Sequence, residues 1–430
     1  MGSEAVIAIG GLLILLALGI PIYIVLTGLG IILLLAEGGS VGGIAQDILD
    51  HMNSATMMAV PFFVIAAGFI QGGGIARAML DMAATWIGRL PGGIPLASLL
   101  ATAMFSAISG SSVATVLAMG TMVVPEMLER GYKRPFALGV TAAAGTLGIL
   151  IPPSMPMVIY GLVSETSIPR LFLAGVVPGI LQVALFAIVI MAMARRQGGQ
   201  PIPFPGWRAE GQANLHAVPA LSVPLIVLGG IYGGFVTVTE AAALSAAVAL
   251  LVSVFVYRSL KLSAVPKVLV DGISRTAAIL LIIAGADLMS NWLTRDGLAY
   301  HLAAIVTGAD LSATQFLLLM ALVLLVLGMV LEGYSIILIT LPLTLPILDA
   351  LGIDRVHYAI IMIIGIELAM LTPPVGLNLF VMAEVSGAPV TEVQRGMIPF
   401  LLAMIVLWLA VIFVPGIATG LPNLALGVAR

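Results

Sequence analysis

The chain has 430 residues, 61% hydrophobic and 9% charged, with a mean hydropathy of +1.20 and a net charge of −3. A soluble protein of this length covers its surface with far more charge, so composition excludes one, and the scattered basic residues offer nothing to a nucleic acid. The absence of cysteine removes disulfides, thiolate metal sites and thiol chemistry together.

Apolar stretches of helical length predict an all-α polytopic membrane protein, with the lipid bilayer as its first partner, rather than a β-barrel. Residues 5–36 are too long for a signal core and have no basic residue before them, which predicts a first membrane helix and no cleaved leader. Further stretches follow at 56–71, 94–124, 136–163, 171–193, 217–235, 239–257, 276–293, 314–347, 357–384 and 398–415. One helical crossing needs ~20 residues. The 94–124 and 314–347 stretches are longer, carry small or polar residues midway and end at Pro125 and Pro346. That pattern predicts two re-entrant hairpins of short helices. The amphipathic segments 75–90 and 298–307 read as helices on the membrane surface, although an ordinary loop helix fits 298–307 equally well. The longest polar stretch, 194–216, is too short to fold alone.

With two hairpins, nine single crossings and a cytoplasmic N-terminus, Arg77, Arg89, Arg130, Lys133, Arg134, Arg195, Arg196, Arg208, Arg258, Lys261, Lys267, Arg275 and Arg395 lie inside. Only Arg170, Arg295, Arg355 and Arg430 lie outside, as the positive-inside rule asks. The odd number of crossings between the hairpins puts them on opposite faces.

The second half of the chain repeats the first. At an offset of 221, Pro125, Gly131, Pro152, Pro153, Gly175 and Pro178 fall on Pro346, Gly352, Pro373, Pro374, Gly396 and Pro399. Paired interruptions of this kind mark the binding site of an inverted-repeat transporter. The expected division is a scaffold helix and loop in 1–55 and a first repeat in 56–170, with arm helix 75–90, hairpin 94–124 and broken helix 136–163. Scaffold helices and linkers follow in 171–275, then a second repeat in 276–397 with arm 298–307, hairpin 314–347 and broken helix 357–384. A C-terminal scaffold helix and tail occupy 398–430.

Three constellations fall on the interruptions. Ser106, Ser109, Ser111, Ser112 and Thr115, with Gly110 among them, sit midway in 94–124. Their hydroxyls and freed carbonyls are hard oxygen ligands for a small cation, and the following helix start offers N–H groups to an anion. Close packing of small residues is the alternative, and the matching break in the repeat favours a site. The double prolines Pro152-Pro153 and Pro373-Pro374 delete donors and free carbonyls facing a hairpin tip. Glu332 at the second tip and Glu367 before the second break are the most deeply placed acids, ahead of Asp287. They suit cation binding or proton coupling; for Glu332, a structural carboxylate on free hairpin N–H groups is an equal reading.

An enzyme is not expected. His51, His216, His301 and His357 form no HExxH motif, no histidine lies at the depth of Ser111 or Ser112, and Asp287 has no paired aspartate. No phosphate-binding loop is present to drive a pump, and no organic cofactor is expected.

Ser109-Gly110-Ser111-Ser112-Val113-Ala114-Thr115, Val124-Pro125-Glu126-Met127, Arg130-Gly131-Tyr132, the run from Gly145 to Ser154, Tyr160-Gly161, and Leu371-Thr372-Pro373-Pro374-Val375-Gly376-Leu377-Asn378-Leu379-Phe380 closely resemble the large membrane subunit, DctM type, of tripartite ATP-independent periplasmic (TRAP) transporters. The resemblance spans nearly the whole chain. It implies an elevator-type, sodium-coupled uptake system for an organic acid, often a carboxylate, in a bacterial or archaeal inner membrane. It also implies a periplasmic substrate-binding protein (DctP type) and a small four-helix membrane subunit (DctQ type), here expected as a separate protein. A stand-alone sodium- or proton-coupled carboxylate symporter is the alternative. Carried onto this sequence, two or more sodium ions are implied. One site takes Gly328, Glu332, Gly333, Ala369, Thr372 and Val375, mostly through backbone oxygens. The offset then gives Ala107, Gly148, Ile151 and Ser154 for the other, with Ser109, Gly110 and Ser112 beside them. Ser111, Ser112, Ser154 and Asn378 are the expected substrate contacts. At the second tip, Leu331-Glu332-Gly333 stands where the family commonly has Asp.

Overall fold

The computed structural model describes residues 10–427 apart from 12, 13, 16, 17, 37, 39, 72, 73, 195, 197–202, 296, 330, 374 and 375. Among these, every regular element is helical. The helices begin with α1 (Ile22–Ala36), α2 (Val41–Met52), α3 (Ala59–Ile70) and α4 (Gly74–Ile87). Next are α5 (Gly93–Ser109), α6 (Ser112–Glu129), α7 (Arg134–Leu150) and α8 (Met155–Val163) of the first repeat, followed by α9 (Ile168–Ala194). Then come α10 (Trp207–Tyr232), α11 (Val238–Leu251), α12 (Val265–Arg295) and α13 (Leu298–Gly308). The second repeat runs through α14 (Ala313–Gly328), α15 (Gly333–Ala350), α16 (Arg355–Met370) and α17 (Leu377–Ser386), followed by α18 (Val390–Phe413) and α19 (Gly416–Leu426).

The offset of 221 is visible in these bounds: α6 shifted by it is α15, residue for residue, and α7 and α16 both open on an arginine. Local chemistry explains the match. Gly131 and Gly352 both adopt left-handed φ, +85° and +64°, after α6 and α15, a conformation other residues reach only with strain. Among the described residues, eight helical segments are long and apolar enough to cross a membrane, with α7 and α8 counted together. A ninth is gained if the bent pair 42–50 and 55–70 makes one span. This is a multi-pass membrane protein.

The two repeats pack reciprocally. α6 lies against α17 and α15 against α8; α18 lies against α7 and α9 against α16. The α7–α18 crossing brings backbones together: a methyl on Gly396 would overlap the Pro135 carbonyl, and one on Gly139 would overlap Gly396. α12 packs on α1 and α3, α3 on α11, and α10 on α4 and α11, forming a second group of helices beside the repeats.

Several expectations need correction. Residues 5–36 are not one unbroken helix: the chain turns at Leu18-Gly19, with Gly19 at φ +79°, and Pro21 cannot donate to the preceding turn, so α1 starts at Ile22. The polar stretch 194–216 is helical from Trp207 onward, and the apolar stretch 276–293 belongs to a helix that starts at Val265. Neither α2 nor α19 is announced by the apolar pattern. α2 is started by its Ser40 cap on the Gly43 N–H. α19 packs on α9, where Arg170 donates to the Asn423 side chain and, at 2.7 Å, to the Gly427 carbonyl.

Candidate functional site

The first long stretch splits at its hydroxyl cluster. Gly110, at φ +58°, ends α5 and donates to the Ser106 carbonyl at 3.0 Å. Ser111 then caps α6 by accepting from the Ala114 N–H at 3.4 Å. Inside the turn, the Ser109 and Thr115 hydroxyls lie 2.7 Å apart, and Thr115 donates to the Ser111 carbonyl at 2.7 Å. The broken helix meets this tip. α7 ends at Leu150, Ile151, Pro152 and Pro153 are non-helical, and α8 follows Ser154. A methyl on Gly148 would come within 2.8 Å of Ser111 backbone atoms, and one on Gly110 within 3.0 Å of the Pro153 carbonyl. Ser109, Gly110, Pro153 and Ser154 share a small cavity with Ile108, Met155 and Phe63 of α3. Ser154 donates to the Ile149 carbonyl at 2.5 Å. Ala107 and Ile151 are half-buried at its edge in sequence.

The second repeat has the same layout with fewer hydroxyls. A methyl on Gly328 would overlap Ala369, and one on Gly333 would come within 2.8 Å of Ile366. Tip and last turn of α16 are therefore in contact. Beyond it, Thr372 donates from its hydroxyl to the Leu368 carbonyl at 2.6 Å and from its N–H to the Ala369 carbonyl at 3.0 Å. Pro373 is exposed; Pro374 and Val375 lie outside the described residues. Glu332 occupies the cap position of α15; it is exposed, where the sequence predicts a deeply placed acid, and its side chain makes no capping bond there.

The expected substrate contacts cross between repeats. Asn378, in the first turn of α17, donates from its amide to the Ser112 hydroxyl at 2.6 Å, and both are buried. Among the described residues the Asn378 amide oxygen has no donor. Sequence reasoning missed a second link. Thr146 and Glu367 correspond under the offset, and Gln182 of α9 reaches Thr146 at 3.2 Å and neighbours Glu367. All three side chains are 0% exposed, and Gln182 is the polar neighbour that reaches both Thr146 and Glu367. Applying the offset to Thr146 would have paired it with Glu367; nothing in the sequence points to Gln182.

At the first tip the available ligands are hydroxyl and carbonyl oxygens, and at the second they are carbonyl oxygens, the Thr372 hydroxyl and the Glu332 carboxylate. This donor set fits a hard alkali cation and not a soft transition metal. At the first tip, Ser109, Thr115, Ser154 and the Ser111 carbonyl would supply it.

Residues 9–417 match the family model described as the tripartite ATP-independent periplasmic transporter, DctM component. The chain belongs to the DctM family. It is 40% identical over 391 residues to a C4-dicarboxylate TRAP transporter large permease protein DctM of Pseudomonas aeruginosa, covering 91% of this chain and 92% of that one. A protein of the same name from Rhodobacter capsulatus is 37% identical, covering 98% and 99%. The sialic acid TRAP transporter large permease protein SiaM of Vibrio cholerae is 32% identical, covering 92% of each. Among solved structures, the Alcanivorax borkumensis YdaH transporter shares the fold at a TM-score of 0.60 and 16% identity, over 89% of this chain and 90% of that one. As in other DctM-family members, the function is that of a TRAP transporter's large permease subunit.

Proposed function

We propose that this permease couples sodium to the uptake of an organic acid by an elevator movement. The observation that carries the reading is the contact of each hairpin tip with its own helix break. At the first tip it gathers uncharged oxygens at an irregular stretch of backbone in an apolar chain, and at the second it sets the tip against the last turn of α16, next to Thr372. Sodium at the first tip uses Ala107, Ser109, Gly110, Ser112, Gly148, Ile151 and Ser154; sodium at the second uses Gly328, Glu332, Gly333, Ala369, Thr372 and Val375. Bound sodium supplies positive charge that orders the tips and favours an anion between them. The substrate's carboxylate then lies among Ser111, Ser112, Ser154 and Asn378, where Asn378 already offers an amide donor across the repeat boundary. Both hairpins and both broken helices move together against a scaffold of α1, α9, α10 and α11. The relatives' names favour a C4-dicarboxylate as the substrate class.

The partners are a periplasmic substrate-binding protein and a small membrane subunit. A relative named isethionate TRAP transporter permease protein DctMQ, of which this chain covers 64%, is in keeping with such a subunit. The host membrane is the bacterial or archaeal inner membrane, with the N-terminus cytoplasmic.

The test is thermal unfolding of the purified chain in sodium against potassium at equal ionic strength. Binding to the folded state alone raises the melting temperature, by about 2.7 kcal/mol of stability at a hundredfold excess over Kd. A sodium-specific rise that is lost in Thr372→Val is expected. Equal melting in both salts at every pH sinks the sodium reading. Uptake that survives without the receptor would transfer the function to a stand-alone symporter.

A further inference from the structure

Two arginines outside the sites above do the same thing in both repeats. Arg134 opens α7 and Arg355 opens α16, one offset of 221 apart. Arg134 donates from Nη2 to the carbonyl of Ser386, the last residue of α17, at 2.9 Å. Arg355 donates from Nη1 to the carbonyl of Ser164, which closes α8, at 3.0 Å. Each arginine crosses to the other repeat and holds the end of its broken helix.

The carboxylates around them differ. Asp349 of α15 grips Arg355 at 2.7 and 3.1 Å, while Glu392 of α18 stands 3.9 Å from Arg134. Asp349 and Glu392 do not correspond under the offset, so the feature common to both repeats is the bond to the carbonyl. The placement is also costly for the arginine's own helix, whose N-terminus disfavours a cation. It suits the neighbour, whose last carbonyls lack partners and carry partial negative charge.

The other ends of those half-helices are the candidate site. Ser154 stands just before α8, and Asn378, bonded to Ser112, is in the first turn of α17. α8 has 9 residues and α17 has 10, too short to hold direction unaided. We infer that Arg134 and Arg355 are positioning residues: each pins the far end of a half-helix whose near end forms the binding site, so each repeat sets the geometry of the other. Without the pin, the half-helix samples more orientations, and the apparent Kd rises in inverse proportion to the competent fraction. Only this consequence for affinity rests on the sodium function proposed above.

The test is hydrogen–deuterium exchange on the purified full-length chain, with R134A, R355A, R134K and E392Q. R134A should raise exchange over residues 377–386 by about tenfold and leave 155–163 near wild type; R355A should do the reverse. E392Q, which removes only the carboxylate, should change neither. R134K keeps the charge but not the fork and should fall between. In sodium-titrated melting, R134A should also need about tenfold more sodium for half the shift, with the sodium-free melting temperature unchanged. Wild-type exchange over 377–386 in R134A, or an equal rise in 155–163, overturns the inference. If R134A does not accumulate, R134K decides by the same comparison. A wild-type chain without a sodium response counts against the proposed function, and exchange still decides the pin.

Discussion

Asn378 and Ser112 show how much a single pair can join. They are 266 positions apart, buried, and linked by one hydrogen bond of 2.6 Å. Removing the amide leaves the serine hydroxyl without its donor in a dry setting, which costs about 1–3 kcal/mol. Asn378→Ala should therefore lower the melting temperature modestly and abolish uptake of the organic acid, measured in vesicles with the receptor present. Uptake at the wild-type rate would remove Asn378 from the substrate contacts. The pair was legible residue by residue, since each falls beside a helix breaker. That they touch was not, because the register between distant helices leaves no periodic mark.

At the scale of the element, the tip of α5 and α6 depends on one backbone conformation. Gly110 at φ +58° allows the turn, and a side chain there costs about 1–2 kcal/mol in backbone strain before it meets the Pro153 carbonyl. Gly110→Ala should lower the thermal midpoint and weaken the sodium-induced shift; an unchanged shift would mean that the tip does not shape the ion site. Elements of this kind were readable from sequence because glycine and proline act through their own covalent geometry. The ends of α6, α7, α15 and α16 follow the repeat for that reason. α2 and α19 were not readable. α2 is started by a serine cap in a mixed-polarity segment, and α19 follows Pro415 and is secured by Arg170, a residue of another helix. Gln182 escaped notice likewise, since its partners lie on α7 and α16.

At the scale of the whole molecule, the crossing of α7 and α18 is backbone on backbone. Gly396→Ala places a methyl on the Pro135 carbonyl, and no side chain can move to make room. The helices must part, at a cost of about 1–3 kcal/mol or more. The melting temperature should fall clearly below that of wild type, in sodium and in potassium alike. A sodium-dependent loss would place this crossing in the ion site instead of the frame.

The reciprocal packing of the repeats has a consequence for how such a chain can be divided. Each half covers part of its apolar surface with the other, since α6 packs on α17 and α15 on α8. A gene cut in the connection between α11 and α12 would yield two fragments, each leaving uncovered the face it buries against the other. Expressed apart, each should be degraded. Expressed together, they should find each other in the bilayer and assemble as a heterodimer whose interface is the former interior, so that a duplication within one chain becomes two obligate subunits.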